Sequence, residues 1–245
     1  MGNYAPRSGH QAPVRQTGTI RAMTTRSGTP LVTDGQPRLR LLLSSQGVPR
    51  QLASLVRTGG RPARVILVAN AKDHGTQARR VAKVAQVSGV LAAAGITVQE
   101  LDLREHIDPS LLADHLAGAA AVWACGGNTF WLMHVMRASG FDVALRASLA
   151  AGLVYGGESA GAIVAGPSLR GLDLIDDPSV SPNPSQPGLG LVRFVPWPHW
   201  GSGVDRPSPV SRAAVTRAVR PNPVMFLNDG QVAVVSGDRV HIEGA

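Results

Sequence analysis

The sequence predicts an α/β fold three layers deep, with a mostly parallel sheet between two layers of helices. Three observations lead there. From residue 38 to residue 158 short apolar runs alternate with longer amphipathic segments, and each strand–helix–strand unit needs a crossover that lays its helix on a face of the sheet. The runs are apolar almost throughout, as strands buried on both sides must be. Lastly, Leu153-Val154-Tyr155 leads into Gly157-Glu158-Ser159-Ala160-Gly161, a strand-to-turn-to-helix passage of the kind found where such strands end.

The elements follow in order. Residues 1–37 are rich in Gly, Pro, Ser, Thr and Arg and show no apolar period. They predict a disordered basic extension, or an upstream start with the natural one at Met23, ahead of one catalytic domain over 38–245. Arg38-Leu39-Arg40-Leu41-Leu42-Leu43-Ser44-Ser45 reads as the first buried strand. A short helix over 51–57 stops at Gly59-Gly60, and a second strand covers 64–70. The helix over 76–94 places Val81, Val84, Val87 and Leu91 on one face and ends at Gly95. A strand over 97–103, a helix over 109–116 and a strand over 120–125 come next, then helices over 129–139 and 141–151. Beyond Pro167 the pattern changes. Residues 178–187 carry four prolines and read as a surface loop, 208–220 as a helix, and 224–227, 231–236 and 240–242 as short strands, the last two joined at Gly237-Asp238.

Charge and cysteine content set limits. The chain has 245 residues and a formal charge of +8, yet residues 1–64 hold ten Arg against one acid, Asp34, while the rest holds 14 basic and 15 acidic residues. The surplus belongs to the N-terminal quarter, which lacks the clustered cations and interleaved aromatics of a nucleic-acid binder, so no nucleic-acid partner is expected. A single cysteine excludes an internal disulfide and suits a reducing compartment. No apolar run is long enough to span a membrane, and residues 1–16 have no signal-type apolar stretch. A cytoplasmic monomer or homodimer is the expectation.

The chemistry begins at Ser159. Gly-x-Ser-x-Gly behind a buried strand forms a sharp turn that presents the serine hydroxyl at the strand end, and the glycines avoid collisions with the neighbouring chain. Ala160–Ala165 can then start a helix whose N–H groups favour developing negative charge. A nucleophilic serine needs a base oriented by an acid. Among seven histidines, His199 in Phe194-Val195-Pro196-Trp197-Pro198-His199-Trp200 is framed by aromatics and prolines; a histidine packed among tryptophans is the plainer alternative. His74 has a smaller claim, following a strand end. For the acid, Asp229 in Leu227-Asn228-Asp229-Gly230 ranks first, with Asp173 as the alternative and Asp176 and Asp177 further behind. Asn-Asp-Gly is equally an ordinary hairpin turn. Gly126-Gly127-Asn128-Thr129 has the makings of a backbone cradle, whose N–H groups with that of Ala160 form a candidate oxyanion hole; a helix cap by Asn128 or Thr129 is the structural alternative. Asn128, Glu158 and Arg170 are candidate substrate contacts, and Cys125 is expected to be buried packing. No residue cluster has metal-ligand spacing and no phosphate-binding glycine motif opens a helix, so no metal or cofactor is expected.

Leu41-Leu42-Leu43-Ser44-Ser45-Gln46-Gly47, Gly126-Gly127-Asn128-Thr129-Phe130, Glu158-Ser159-Ala160-Gly161-Ala162 and Pro198-His199 stand in the order found in dipeptidase E. Over roughly residues 38–242 the chain resembles that family of alpha-aspartyl dipeptidases, serine peptidases related to cyanophycinases and built on the class I glutamine-amidotransferase-like fold. The resemblance implies metal-free hydrolysis of dipeptides with an N-terminal aspartate, with Ser159 as nucleophile, His199 as base, and Gly127 and the amide after the serine as oxyanion contacts. The family's acid corresponds to Asp229, and its aspartate downstream of the elbow to Asp173, which would hold the substrate's amino group or tune the site. Glu158 occupies a position that varies among relatives, and residues 170–190 align loosely, which loosens the inference to aspartate specificity. A β-aspartyl peptidase, an esterase with the same triad, and a silent binding protein using the basic arm are the rival readings.

Overall fold

The computed structural model of the chain describes residues 39–56, 63–105, 109–201 and 210–245. The expected N-terminal extension, Gly59-Gly60 and the first residues of the helix expected from 208 lie outside them. Five strands run parallel: β1 (Arg40–Ser44), β2 (Arg64–Val68), β3 (Thr97–Glu100), β4 (Ala121–Ala124) and β5 (Val154–Glu158). Two further strands, β6 (Val195–Trp197) and β7 (Val224–Phe226), pair in parallel as a small sheet of their own. The chain then forms an antiparallel hairpin, β8 (Gln231–Ser236) and β9 (Arg239–Gly244), that joins the main sheet beside β1. The seven-stranded order is β3-β2-β4-β5-β1-β8-β9.

Side-chain alternation along the strands divides the interior into two layers. Leu42, Val65, Leu67, Trp123 and Val154 point to the face covered by α1 (Gln51–Val56) and α2 (Gln77–Ala93). Leu41, Leu43, Ile66, Val122 and Tyr155 point to the face covered by α3 (Pro109–Leu116), α4 (Thr129–Ala138) and α5 (Phe141–Ala150). That face also takes the short α6 (Ala160–Ile163) and Val215 of α7 (Arg212–Ala218). The αβα architecture is therefore the one the alternation of apolar segments predicts.

Two local expectations need correction, and one strand goes unannounced. The core stripe of α2 does not include Val81, which is 54% exposed; Val87 and Leu91 are buried, and Arg80 continues their stripe at 6% exposure. Burial of that cation is compensated by ion pairs to Asp73, Glu100 and Asp102 at 3.2, 2.6 and 3.1 Å, so polarity alone misplaces the helix face. Strand β3 stops at Glu100 because the Asn70 side chain takes over, its Oδ1 accepting the Leu103 N–H at 3.1 Å. Strand β6 was not legible as a strand: three residues with a central proline carry little signal until Val195, Pro196 and Trp197 find Val224, Met225 and Phe226.

Candidate active site

Strand β5 delivers the elbow. Ser159 stands at φ 50°, ψ −115°, a backbone state that costs a non-glycine residue about 1–3 kcal/mol and persists only where the surroundings fix it. They do so on both sides. The Ser159 N–H donates to Ser44 O at 3.1 Å, and its carbonyl accepts from Ala162 and Ile163 N–H at 2.9 Å each. The flanking glycines are required by space: a Cβ on Gly157 would lie 2.4 Å from the Gly161 carbonyl carbon, and one on Gly161 2.1 Å from Ala124 O.

His199 follows β6, itself in the left-handed region at φ 57°, and reaches the elbow across forty residues of sequence. Its Nε2 lies 3.0 Å from Ser159 Oγ and its Nδ1 2.7 Å from Asp229 Oδ1. Asp229 sits in the turn between β7 and β8, where Gly230 takes φ 77° and Gln231 N–H closes on Asn228 O at 3.0 Å. With Nδ1–H donating to the carboxylate, the Nε2 lone pair faces the serine hydroxyl, the arrangement that lets an imidazole accept its proton.

The glycine loop closes the other side. Gly126 abuts Ser159, since a Cβ there would stand 2.9 Å from Ser159 Cβ. Gly127 presses on Ala71, whose carbonyl accepts the Asn128 N–H at 2.8 Å. Neither the Gly127 N–H nor the Ala160 N–H has a hydrogen-bond partner among the described residues, so both are available to a ligand. Asn128 also caps α4: its Oδ1 accepts from Trp131 N–H at 2.9 Å and its Nδ2 donates to Asp177 O at 2.8 Å. The helix cap does not exclude a cradle, because it uses the Asn128 side chain and leaves the Gly127 N–H unbonded.

These observations meet a match of residues 45–243 to peptidase family S51. The chain belongs to peptidase family S51. Peptidase E of Streptomyces coelicolor is 36% identical over 165 residues, 65% of each chain. Peptidase E of Shewanella amazonensis is 31% identical over 147 residues, 58% of this chain and 60% of that one. An uncharacterized peptidase of Listeria innocua is 32% identical over 117 residues, 46% of this chain and 54% of that one. The chain thus spans less than two thirds of the length of the curated relatives it matches. The fold is shared with a candidate peptidase E from Listeria monocytogenes (TM-score 0.66, 21% identity, 84% of this chain and 98% of that one). It is shared too with a peptidase from an acI-B1 actinobacterium (TM-score 0.65, 14% identity, 84% and 88%).

The remaining candidates of this S51 chain are dispersed. Asp173 is exposed in a 3-10 turn (Leu172–Leu174), while Asp176 Oδ2 accepts from Thr129 N–H and Oγ1 at 3.0 and 2.5 Å. Asp177 caps its own turn through Ser179 N–H at 2.9 Å. It is Asp229 that meets His199. The expectation of a substrate contact at Glu158 is corrected by burial: its side chain is 4% exposed, with Oε2 accepting the Gly47 N–H at 2.6 Å and Oε1 paired with Lys83 Nζ at 2.5 Å. It braces the elbow from behind. Arg170 is exposed, its own N–H bonded to Ser168 Oγ. His74 stacks edge-on against Trp131 at 4.4 Å. Cys125 is fully buried, and that burial, with the Glu158 charge second, pushes its thiol up to about 12, which leaves it inert. Among the described residues no group of His, Cys, Asp and Glu could hold a metal ion, and no helix is long and apolar enough to cross a membrane.

Sequence reasoning missed two features. One is Ser45, whose hydroxyl touches both Asp229 and the His199 backbone. The other is a cleft of roughly 730 Å³ beside Gly127 and Asn128, lined by Lys72, His74, Arg79 and Lys83 and by no carboxylate. Its cations come from the 3-10 turn after β2 and from α2, so no sequence motif joins them.

Proposed function

We propose that this chain is a serine exopeptidase that hydrolyses dipeptides with an N-terminal aspartate. One observation carries the reading: a single imidazole stands within hydrogen-bonding distance of a strained elbow serine and of a carboxylate, at 3.0 and 2.7 Å. Ser159 Oγ attacks the peptide carbonyl as its proton passes to His199 Nε2. The amides of Gly127 and Ala160 hold the oxyanion, each donor contributing about 10²–10³ in rate. The C–N bond breaks as the departing amine takes the proton from His199. Water, deprotonated by the same nitrogen, then attacks the acyl ester; Ser159 leaves with the returned proton and the acid product is released. Asp229 remains ionised, fixing the tautomer and balancing the imidazolium.

The preference for aspartate draws on the basic cleft. Lys72, Arg79 and Lys83 line it beside Gly127 without an opposing acid on its wall, although Lys83 is itself paired with Glu158. An acidic side chain on the acyl residue gains from such a field. The β-aspartyl peptide differs by one methylene in its backbone and carries its free carboxylate on the same residue, so substrate comparison decides between them. Purified protein and Ser159→Ala are assayed on Asp-Leu, β-Asp-Leu, Asp-p-nitroanilide and an aspartyl ester, and both are treated with a serine-directed phosphonate. Turnover of Asp-Leu by the wild type alone, with phosphonate on Ser159, is the expected result. Equal turnover by both proteins, or no turnover and no labelling, would reject the reading, the latter in favour of a silent binding protein.

A further inference from the structure

We infer that Ser45 is a positioning residue of the site, holding His199 and Asp229 together as one unit; the inference rests on the serine-peptidase reading above. Ser45 lies in the loop just after β1 and is fully buried. Its Oγ accepts the His199 backbone N–H at 2.7 Å and lies 2.9 Å from Asp229 Oδ1 and 3.3 Å from Leu227 O. A hydroxyl has one proton to give, and the nearer, charged acceptor takes it. Ser45 therefore donates to the same carboxylate oxygen that receives His199 Nδ1–H, and accepts from the backbone that carries the imidazole. Its own N–H is anchored to Gln231 O at 2.9 Å.

One side chain thus ties three elements that meet only in the folded protein: the end of β1, the residue after β6, and the turn between β7 and β8. The tie matters because His199 occupies the left-handed region at φ 57°, where a β-substituted residue stays only if its backbone is held. Without Ser45 Oγ, the His199 N–H loses its acceptor and Asp229 Oδ1 loses one of the bonds that orient it toward His199. The Nδ1–H···Oδ1 alignment then lapses although every triad member is still present. Ser45 touches no substrate atom, so its effect falls on the chemical step rather than on binding.

The test measures kcat and KM on the best substrate for the wild type, Ser45→Ala, Asp229→Asn and the double variant. The prediction for Ser45→Ala is a kcat about 10- to 100-fold lower, with KM little changed and labelling of Ser159 slowed in proportion. Because Ser45 acts through the acid, adding it to Asp229→Asn removes little more than Asp229→Asn alone. Should Ser45→Ala not fold, Ser45→Cys, which keeps the volume with a poor hydrogen-bonding group, is read in the same way. Wild-type kcat in these variants, or a loss fully additive with Asp229→Asn, would overturn the inference while leaving the peptidase intact. An inactive, unlabelled wild type would instead defeat the peptidase reading, and this inference with it.

Discussion

Gly127→Ala adds one methyl group to the loop that carries a proposed oxyanion donor. An ideal Cβ at Gly127 would stand 2.0 Å from Ala71 O, 2.4 Å from Ala71 C and 2.9 Å from Ala71 Cβ. Carbon contacts relax only near about 3.5 Å, so a shift on the order of 1 Å is forced. No side-chain rotation can absorb it, because the obstructing atoms are Ala71 backbone and Cβ. Ala71 belongs to the 3-10 turn Asn70–Lys72, pinned by Asn70 Nδ2 donating to Asp73 at 3.0 Å and to Asp102 at 2.8 Å. The glycine loop therefore yields, carrying the Gly127 N–H off its target. Losing one such donor costs about 3 kcal/mol at the transition state, or 10²–10³ in kcat, while overpacking costs about 1–3 kcal/mol of stability. Gly89→Ala in α2 is the control, because a Cβ there meets nothing within 4 Å; it should gain about 0.4–1 kcal/mol of stability and leave kcat alone. The readouts are kcat on Asp-Leu and thermal melting. If Gly127→Ala turned over substrate as fast as Gly89→Ala, the oxyanion role of this loop would be refuted.

Other outcomes are equally open to measurement. Lys72→Met combined with Arg79→Met should raise KM for Asp-Leu about tenfold, more at low salt, and leave a neutral dipeptide unaffected; equal effects on both substrates would remove the cleft from specificity. Native protein should resist iodoacetamide at pH 8, and react once unfolded, because burial pushes the Cys125 thiol up to about 12; rapid native labelling would contradict that environment. The Arg104 guanidinium, aided by Asn70, holds the Asp102 carboxyl well below the usual carboxylate range. A depressed carboxyl stabilises the fold above its unfolded value of about 3.9, and the contribution drains as pH falls below that. The stability gap between wild type and Asp102→Asn should therefore be constant between neutral pH and about pH 5 and narrow below about pH 4 in urea titrations. A gap that persists unchanged in strong acid would count against the pairing.

What the sequence discloses follows from the range of the interactions. The elbow is legible because its parts are contiguous: an apolar strand, the glycines around Ser159, and small residues after it. The glycine loop and the parallel architecture are legible for the same reason. His199 stands out only because prolines and tryptophans surround it. The acid is not legible in this way, since Asp229 and Asp173 are both short acidic turns, and the difference lies in β8 docking beside β1 while Asp173 stays exposed. Glu158 illustrates the opposite error. Adjacent to Ser159 in sequence, it turns inward to Gly47 and Lys83, because neighbouring strand residues face opposite sides. Arg80 in place of Val81 is a third case, where ion pairs from the turn after β2, from β3 and from the residues after it overrule hydropathy.

The strand that presents Ser159 and its four parallel neighbours are all encoded before the serine, whereas the proposed base and acid arrive forty and seventy residues later. A nascent chain emerging from the ribosome can therefore assemble the elbow's scaffold before its proposed proton acceptor has been made. Under the proposed mechanism the triad is complete only once the turn bearing Asp229 has been translated and the hairpin behind it has zipped onto β1. A product cut short before residue 199 would carry the elbow serine without the imidazole proposed to activate it.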